Sequence, residues 1–188
     1  MGWIPDDAEL YYNLAEVYKE MRSFDKAREN YERALKIKPA ESQFKFQLGR
    51  LFETLGEVEE AKAEYEEIIA QDTDYVPALK ALGRILLSLS QFRDCAPLFR
   101  RVLEISPEDD ETYNDLGVTL LRQGKGEDAV EHFCKAIFFK NDADTYFFNL
   151  GLSLRDVRFK APNKPLLKTA LEMLEKKNMS DRGKWLHH

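Results

Sequence analysis

Apolar positions along the chain fall into short groups with helical spacing, separated by polar or turn-forming stretches, and the groups recur with a period of 34 residues. Leu14, Leu48, Leu82, Leu116 and Leu150 lie on this period, each followed by Ala15, Gly49, Gly83, Gly117 or Gly151. Three residues further on come Tyr18, Phe52, Leu86, Leu120 and Leu154. Tyr11, Leu14, Ala15 and Tyr18 are spaced so that they share one helix face. A second helix follows from Ala27, Tyr31, Ala34 and Leu35. The signal lapses over Met21 to Phe24, where later repeats place Gly56 and Gly124, residues suited to a tight turn at positive φ. Each repeat is therefore predicted to be a helical hairpin. Pro39 and Pro107 end the second helix, through a missing amide and a fixed φ.

Long periods of this kind mean supersecondary units that stack to share a core. Small residues at Ala27, Ala61, Cys95 and Ala129, with aromatics four positions later at Tyr31, Tyr65, Phe99 and Phe133, read as core. Glycine inside a helix costs roughly 1 kcal/mol against alanine. Its recurrence at one register implies close packing that a large side chain, for example at Gly83, would push apart.

These residues together resemble the tetratricopeptide repeat family, and the resemblance covers about 170 of the 188 residues. It implies an all-α fold, a right-handed α-solenoid of stacked helix-turn-helix repeats. After a lead of residues 1–7, the repeats run 8–41, 42–75, 76–109 and 110–143, with a modified fifth at 144–177 and a tail at 178–188. In the fifth hairpin the expected small residue is Asn163, and a displaced helix is expected over Leu166 to Lys177. Lys45 stands where the first helix carries a large apolar residue, and a small rotation would let Phe44 or Phe46 serve instead.

Composition narrows the function. The chain is 44% hydrophobic and 33% charged, and no apolar run approaches the ~18 residues of a membrane span. A net charge of −6 lacks the basic footprint of a nucleic-acid binder. Cys95 and Cys134 have no metal-ligand spacing and fit a reducing, cytoplasmic compartment; His132 is isolated. Neither a cofactor nor a metal site is expected. With no nucleophile elbow near that lone internal histidine, the chain is not read as an enzyme.

Function is then expected on surfaces. In a right-handed stack the first helices line the concave side, the usual binding surface of solenoids. Candidate partner-binding residues there are Tyr12, Asn13 and Glu16 in the first repeat and Phe46, Gln47 and Arg50 in the second. Lys80 and Arg84 follow, then Asn114 and Val118, and finally Phe148, Asn149 and Leu152. Asn13, Gln47, Asp115 and Asn149 form an amide-like series in register, similar to the asparagine ladder of O-linked N-acetylglucosamine transferase, which would hold an extended peptide backbone. Arg50, Lys80 and Arg84 point to an acidic ligand segment; Phe46, Leu87, Val118, Leu121, Phe148 and Leu152 point to apolar anchors. The two-carboxylate clamp that grips chaperone C-termini is not matched in any register. Starting from the first repeat, its places hold Tyr12, Glu16, Gln47, Pro77 and Ala81.

The expected function is a protein-protein interaction scaffold or adaptor that binds a peptide or protein in a concave groove, across repeats two to five. The alternative is a regulatory or targeting module cut from a larger protein, an enzyme included, because no polar capping helix precedes Ala8. The expected partner is an acidic and apolar segment, with no nucleic acid and no membrane insertion. Self-association is left open.

Overall fold

The computed structural model describes residues 7–156 and 164–185. Those residues form ten helices and no strand, an all-α helical-repeat solenoid fold. The helices are α1 (Ala8–Glu20), α2 (Phe24–Ile37), α3 (Ser42–Leu55), α4 (Val58–Gln71) and α5 (Val76–Ser88). They continue with α6 (Phe92–Ile105), α7 (Asp110–Arg122), α8 (Gly126–Phe139), α9 (Asp144–Asp156) and α10 (Lys164–Trp185). The chain divides into two compact units, residues 1–85 and 86–188.

Local chemistry starts and stops these helices. The Asp7 carboxylate accepts from the amides of Glu9 (3.0 Å) and Leu10 (3.3 Å), and Asp109 accepts from the amide of Thr112 (2.8 Å), which satisfies amides that the first helical turn leaves unpaired. At the turns inside the hairpins the backbone is left-handed at Arg22 (φ 56°), Gly56 (77°), Ser90 (61°) and Gly124 (77°), four positions on one 34-residue register. The amide after each closes back onto the helix, as in Ser23 N to Tyr18 O (2.8 Å) and Lys125 N to Leu120 O (2.9 Å). The glycines predicted this geometry. Arg22 and Ser90 show that the hairpin imposes it even where a Cβ makes it costly.

In the first unit, Ala8, Tyr11, Ala34 and Phe44 form a buried cluster against which Tyr12, Leu35 and Ile37 pack. Glycine at the small position admits an aromatic ring, because a Cβ on Gly49 would lie 2.6 Å from Cε1 of Tyr65. Lys45 keeps its core register and does not rotate out. Its side chain is 6% exposed and forms an ion pair with Glu67, while Phe44 is buried and Phe46 packs 5.5 Å from the Tyr65 ring. Pairing the ammonium lets the aliphatic stem stay inside.

In the second unit α7 and α8 repeat this arrangement, with Gly117 facing Phe133, again at 2.6 Å for a built Cβ. Pro97 lies inside α6, which the periodicity did not flag; an interior proline costs about 3 kcal/mol. Burial of Cys95, Ala96, Phe99 and Val102 on that helix offsets it. The final hairpin pairs α9 with α10, and α10 also packs on α8. It begins before Leu166 and extends past Lys177. As expected of a displaced helix, its described span begins at Lys164, four residues past the register of the α8 start, while Ala170, on the register of Ala34 and Ala136, is fully buried like them. Asn163 lies outside the described residues.

Candidate partner-binding faces

On the first-helix faces of the first unit, several candidate residues are held by internal partners. Glu16 is half-buried; Lys19 Nζ sits 2.7 Å from its carboxylate, and the Tyr31 hydroxyl donates to it. Burial, then that hydrogen bond, pushes the Tyr31 phenol well above its usual range. Lys19 also donates to Gln47 Oε1 (3.2 Å), tying α1 to α3. Tyr12 stacks on Phe44 with ring centres 4.6 Å apart and planes 18° apart, and its oxygen accepts from Gln43 Nε2 (3.2 Å). Phe46 is half-buried and reaches the Tyr75 ring at 6.0 Å. A parallel bridge runs from the Tyr65 hydroxyl to Glu53. Asn13 and Arg50 are exposed, as is Arg84 on α5, one turn from half-buried Lys80. The positive field of Arg50 acts on both Tyr31 and Tyr65 and favours their ionised forms, against the larger effect of burial.

In the second unit polar and apolar candidates share α7 and α9. Asn149 Nδ2 on α9 donates to Asn114 Oδ1 on α7 (2.8 Å), and Asn114 is buried. Two members of the amide series, Asn149 and Gln47, thus have hydrogen-bond partners within the fold. Asn149 pairs with Asn114 on α7, and Gln47 accepts from Lys19 on α1. Phe148 is 68% exposed and Leu152, one turn on, is 36% exposed. Val118, Leu121 and Leu87 are half-buried.

One exposed aromatic group escaped the sequence reading. Phe138 is 75% exposed and stands at 5.2 Å from Phe139, which stacks on Tyr113 at 5.6 Å. Its signal was a pair of phenylalanines beyond Ile137, at positions a helix turns away from Phe133. His132 lies 6.0 Å from the same tyrosine, its Nδ1 2.7 Å from the Asp128 carbonyl oxygen. Both cysteines are free and buried; burial pushes the Cys134 thiol up to about 11. Among the described residues no cluster of side chains suits a metal ion, and no helix is long and apolar enough to cross a membrane. These faces offer hydrogen bonding, positive charge and apolar anchorage.

Comparison with known proteins agrees with this arrangement. Tetratricopeptide repeat family models match residues 8–40, 42–75 and 80–144. A curated relative, the peroxisomal targeting signal receptor of Kluyveromyces lactis, is 28% identical over 102 residues, which are 54% of this chain and 18% of that protein. The chain thus spans under a fifth of that relative's length. Among solved structures, MamA from Desulfovibrio magneticus RS-1 superposes with a TM-score of 0.80 at 21% identity, covering 96% of this chain and 98% of that one. YrrB, described as a TPR protein with an unusual peptide-binding site, superposes at 0.73 with 20% identity, covering 95% and 92%. Pseudomonas aeruginosa PilF superposes at 0.70 with 18% identity, covering 90% and 75%. Repeats of this type are in general interaction modules and not catalytic ones. The chain belongs to the tetratricopeptide repeat family.

Proposed function

We propose that the chain is an interaction scaffold that binds a peptide or protein segment carrying acidic and apolar residues, and that it performs no chemistry. The observation that carries this reading is Phe148, an aromatic side chain 68% exposed on a first helix, with Leu152 one turn away and the Asn114–Asn149 amide pair behind it. An exposed aromatic of this kind serves as an anchor for a partner's apolar side chain. The basic residues Arg50, Lys80 and Arg84 of the first unit supply attraction for carboxylates. The description of YrrB as peptide-binding supports the same mode. The cytoplasm is the proposed location, supported by two free, buried thiols.

The test is selection of binders from a random peptide display library, followed by titration of an enriched peptide. Enrichment of acidic-apolar sequences is expected. Phe148→Ala should then speed dissociation, and Arg50→Glu with Arg84→Glu should slow association more at low salt than at high, since screening acts over about 10 Å at 0.1 M. Equal binding by parent and variants at low salt overturns the reading. A second reading, a targeting or regulatory module within a longer protein, draws on the curated receptor, of which the matched part is 18%. The length of the complete reading frame separates the two.

A further inference from the structure

A cavity of about 670 Å³ lies in the second unit, between the turn that leads into α6 and the turn that leads into α8. Gln123 of the second turn donates from its side-chain amide to the Phe92 carbonyl oxygen at the first, which ties the two turns together. Three side chains around the cavity are cations: Arg93 from the first turn of α6, Arg122 from the end of α7, and Lys125 from the turn beyond it. All three are exposed, and among the described residues none has an ion pair or a hydrogen bond through its side chain. Asp94 is the one acid among the described lining residues. Three cations against one acid leave the cavity at +2, on a chain whose net charge is −6.

The other repeats show that this charge is not a by-product of the fold. At the register of Arg93 they place Asp25, Glu59 and Glu127. An acid suits the first turn of a helix, where the macrodipole is positive, and a cation there is unfavourable. At the register of Arg122 stand Glu20, Thr54, Ser88 and Asp156, and at that of Lys125 stand Ser23, Glu57 and Gln91. Each cation of the cavity thus takes a place that is neutral or acidic elsewhere, and Arg93 does so against helix electrostatics. Cations on other second helices have carboxylates beside them, as Arg28 has Glu32 (3.2 Å) and Glu57 (3.1 Å) and Lys135 has Glu131 (2.8 Å).

We infer that this cavity docks an acidic peptide segment of a partner protein, one with two or more carboxylates close together. Charge sets the sign of the ligand, and size and distribution set its kind. Pockets of roughly 300–1,000 Å³ take ligands of many atoms, so a single phosphate ion would leave most of this one empty. The cations come from two hairpins and surround the cavity, which matches carboxylates spread along a chain. Gln91 and Ser90 offer hydrogen bonds to the segment's backbone, and half-buried Phe92 offers an apolar edge. Exposed ion pairs contribute little singly, so affinity is modest, salt-dependent and shared among the three cations. The site goes beyond the function proposed above and shares no residue with the faces that carry it.

The probe is a labelled synthetic peptide with three central glutamates among glycines and serines, compared with its glutamine counterpart. In amide NMR spectra of the full chain, the glutamate peptide should shift residues 90–94 and 122–125, and the glutamine peptide should not. In anisotropy titrations Arg93→Glu and Arg122→Glu should each weaken binding about fivefold or more at low salt, and less at high salt. Arg50→Glu with Arg84→Glu should leave the shifts at 90–94 and 122–125 in place, which keeps this site distinct from the first-unit faces. Arg93→Glu restores the acid that other repeats carry, so it should melt at or above the parent's temperature and separate lost binding from lost fold. Shifts confined to the first unit, equal binding by the parent and the Arg93→Glu, Arg122→Glu double variant, or a glutamine peptide that binds as well overturns the inference. Inorganic phosphate or a single-stranded oligonucleotide that shifts the same amides at lower concentration than the peptide also overturns it and assigns the cavity to phosphate ligands. Shifts at those amides that grow with protein concentration alone overturn it in favour of a second copy.

Discussion

Within the second unit, the α7–α8 hairpin and the α9–α10 hairpin share a register and differ in how they use it. Gly117 on α7 faces Phe133 so closely that a Cβ would sit 2.6 Å from the ring. Gly151 on α9 has nothing within 4 Å of the same point. The aromatic that would fill the gap is replaced by Leu167, on the register of Tyr65 and Phe133. A glycine in a repeat therefore acquires its meaning from the residue sixteen positions later. With a ring opposite, it is a packing requirement; without one, only the helix-propensity cost remains.

The sharpest way to break this comparison is to fill both glycines. Gly117→Leu should cost about 3 kcal/mol or more, because the Phe133 ring is fully buried and has no free space to move into. Gly151→Leu should be neutral or slightly stabilising. Denaturant titration of the two variants measures the difference. Equal losses would mean that backbone approach, and not the ring, demands the glycine.

A middle-sized effect separates the hairpins by pH. Cys134 on α8 is buried and its thiol is raised to about 11, while the same register in α10 holds exposed Lys168. The unfolded thiol loses its proton at lower pH than the folded one, so the folded state binds the extra proton in between. The stabilisation is complete below the unfolded value and lost as pH rises through about 11. Burial raises the Tyr31, Tyr65 and Tyr146 phenols too, so all four groups act with the same sign. The thiol alone should contribute a fall on the order of 2 kcal/mol across its window, and the phenols add to it in the same direction at higher pH. Cys134→Val should reduce the slope in an alkaline unfolding series, and an unchanged slope would remove the thiol from the account.

The smallest effects are gains. Gly151→Ala should add about 0.5–1 kcal/mol from helix propensity alone. Ser90→Gly should add a similar amount by relieving a left-handed side chain, whereas Gly124→Ala at the matching turn should lose it. Thermal melts resolve shifts of this size. A gain at Gly124→Ala would show that the turn relaxes on substitution.

Much of this molecule was legible in one dimension. Helical spacing, a 34-residue period and small residues paired with aromatics specify hairpins that stack, because each face repeats the chemistry of its neighbours. The glycines at 56 and 124 announced a left-handed turn, and Arg22 and Ser90 adopt it because the hairpin closes by the same two backbone bonds. Side-chain partnership was not legible. Register brought the candidate residues to the first-helix faces, but packing gave Asn149 the Asn114 amide as a partner and drew Glu16 and Gln47 into an internal bridge through Lys19 and Tyr31. Nor could spacing tell that Lys45 would remain inside against Glu67, since pairing a buried charge depends on what a second helix presents to it. Periodicity determines which residues share a face, because it follows from the backbone alone. Which faces are covered, and by what, is decided only when helices pack: Gly117 and Gly151 share a register, yet only Gly117 has a ring against it.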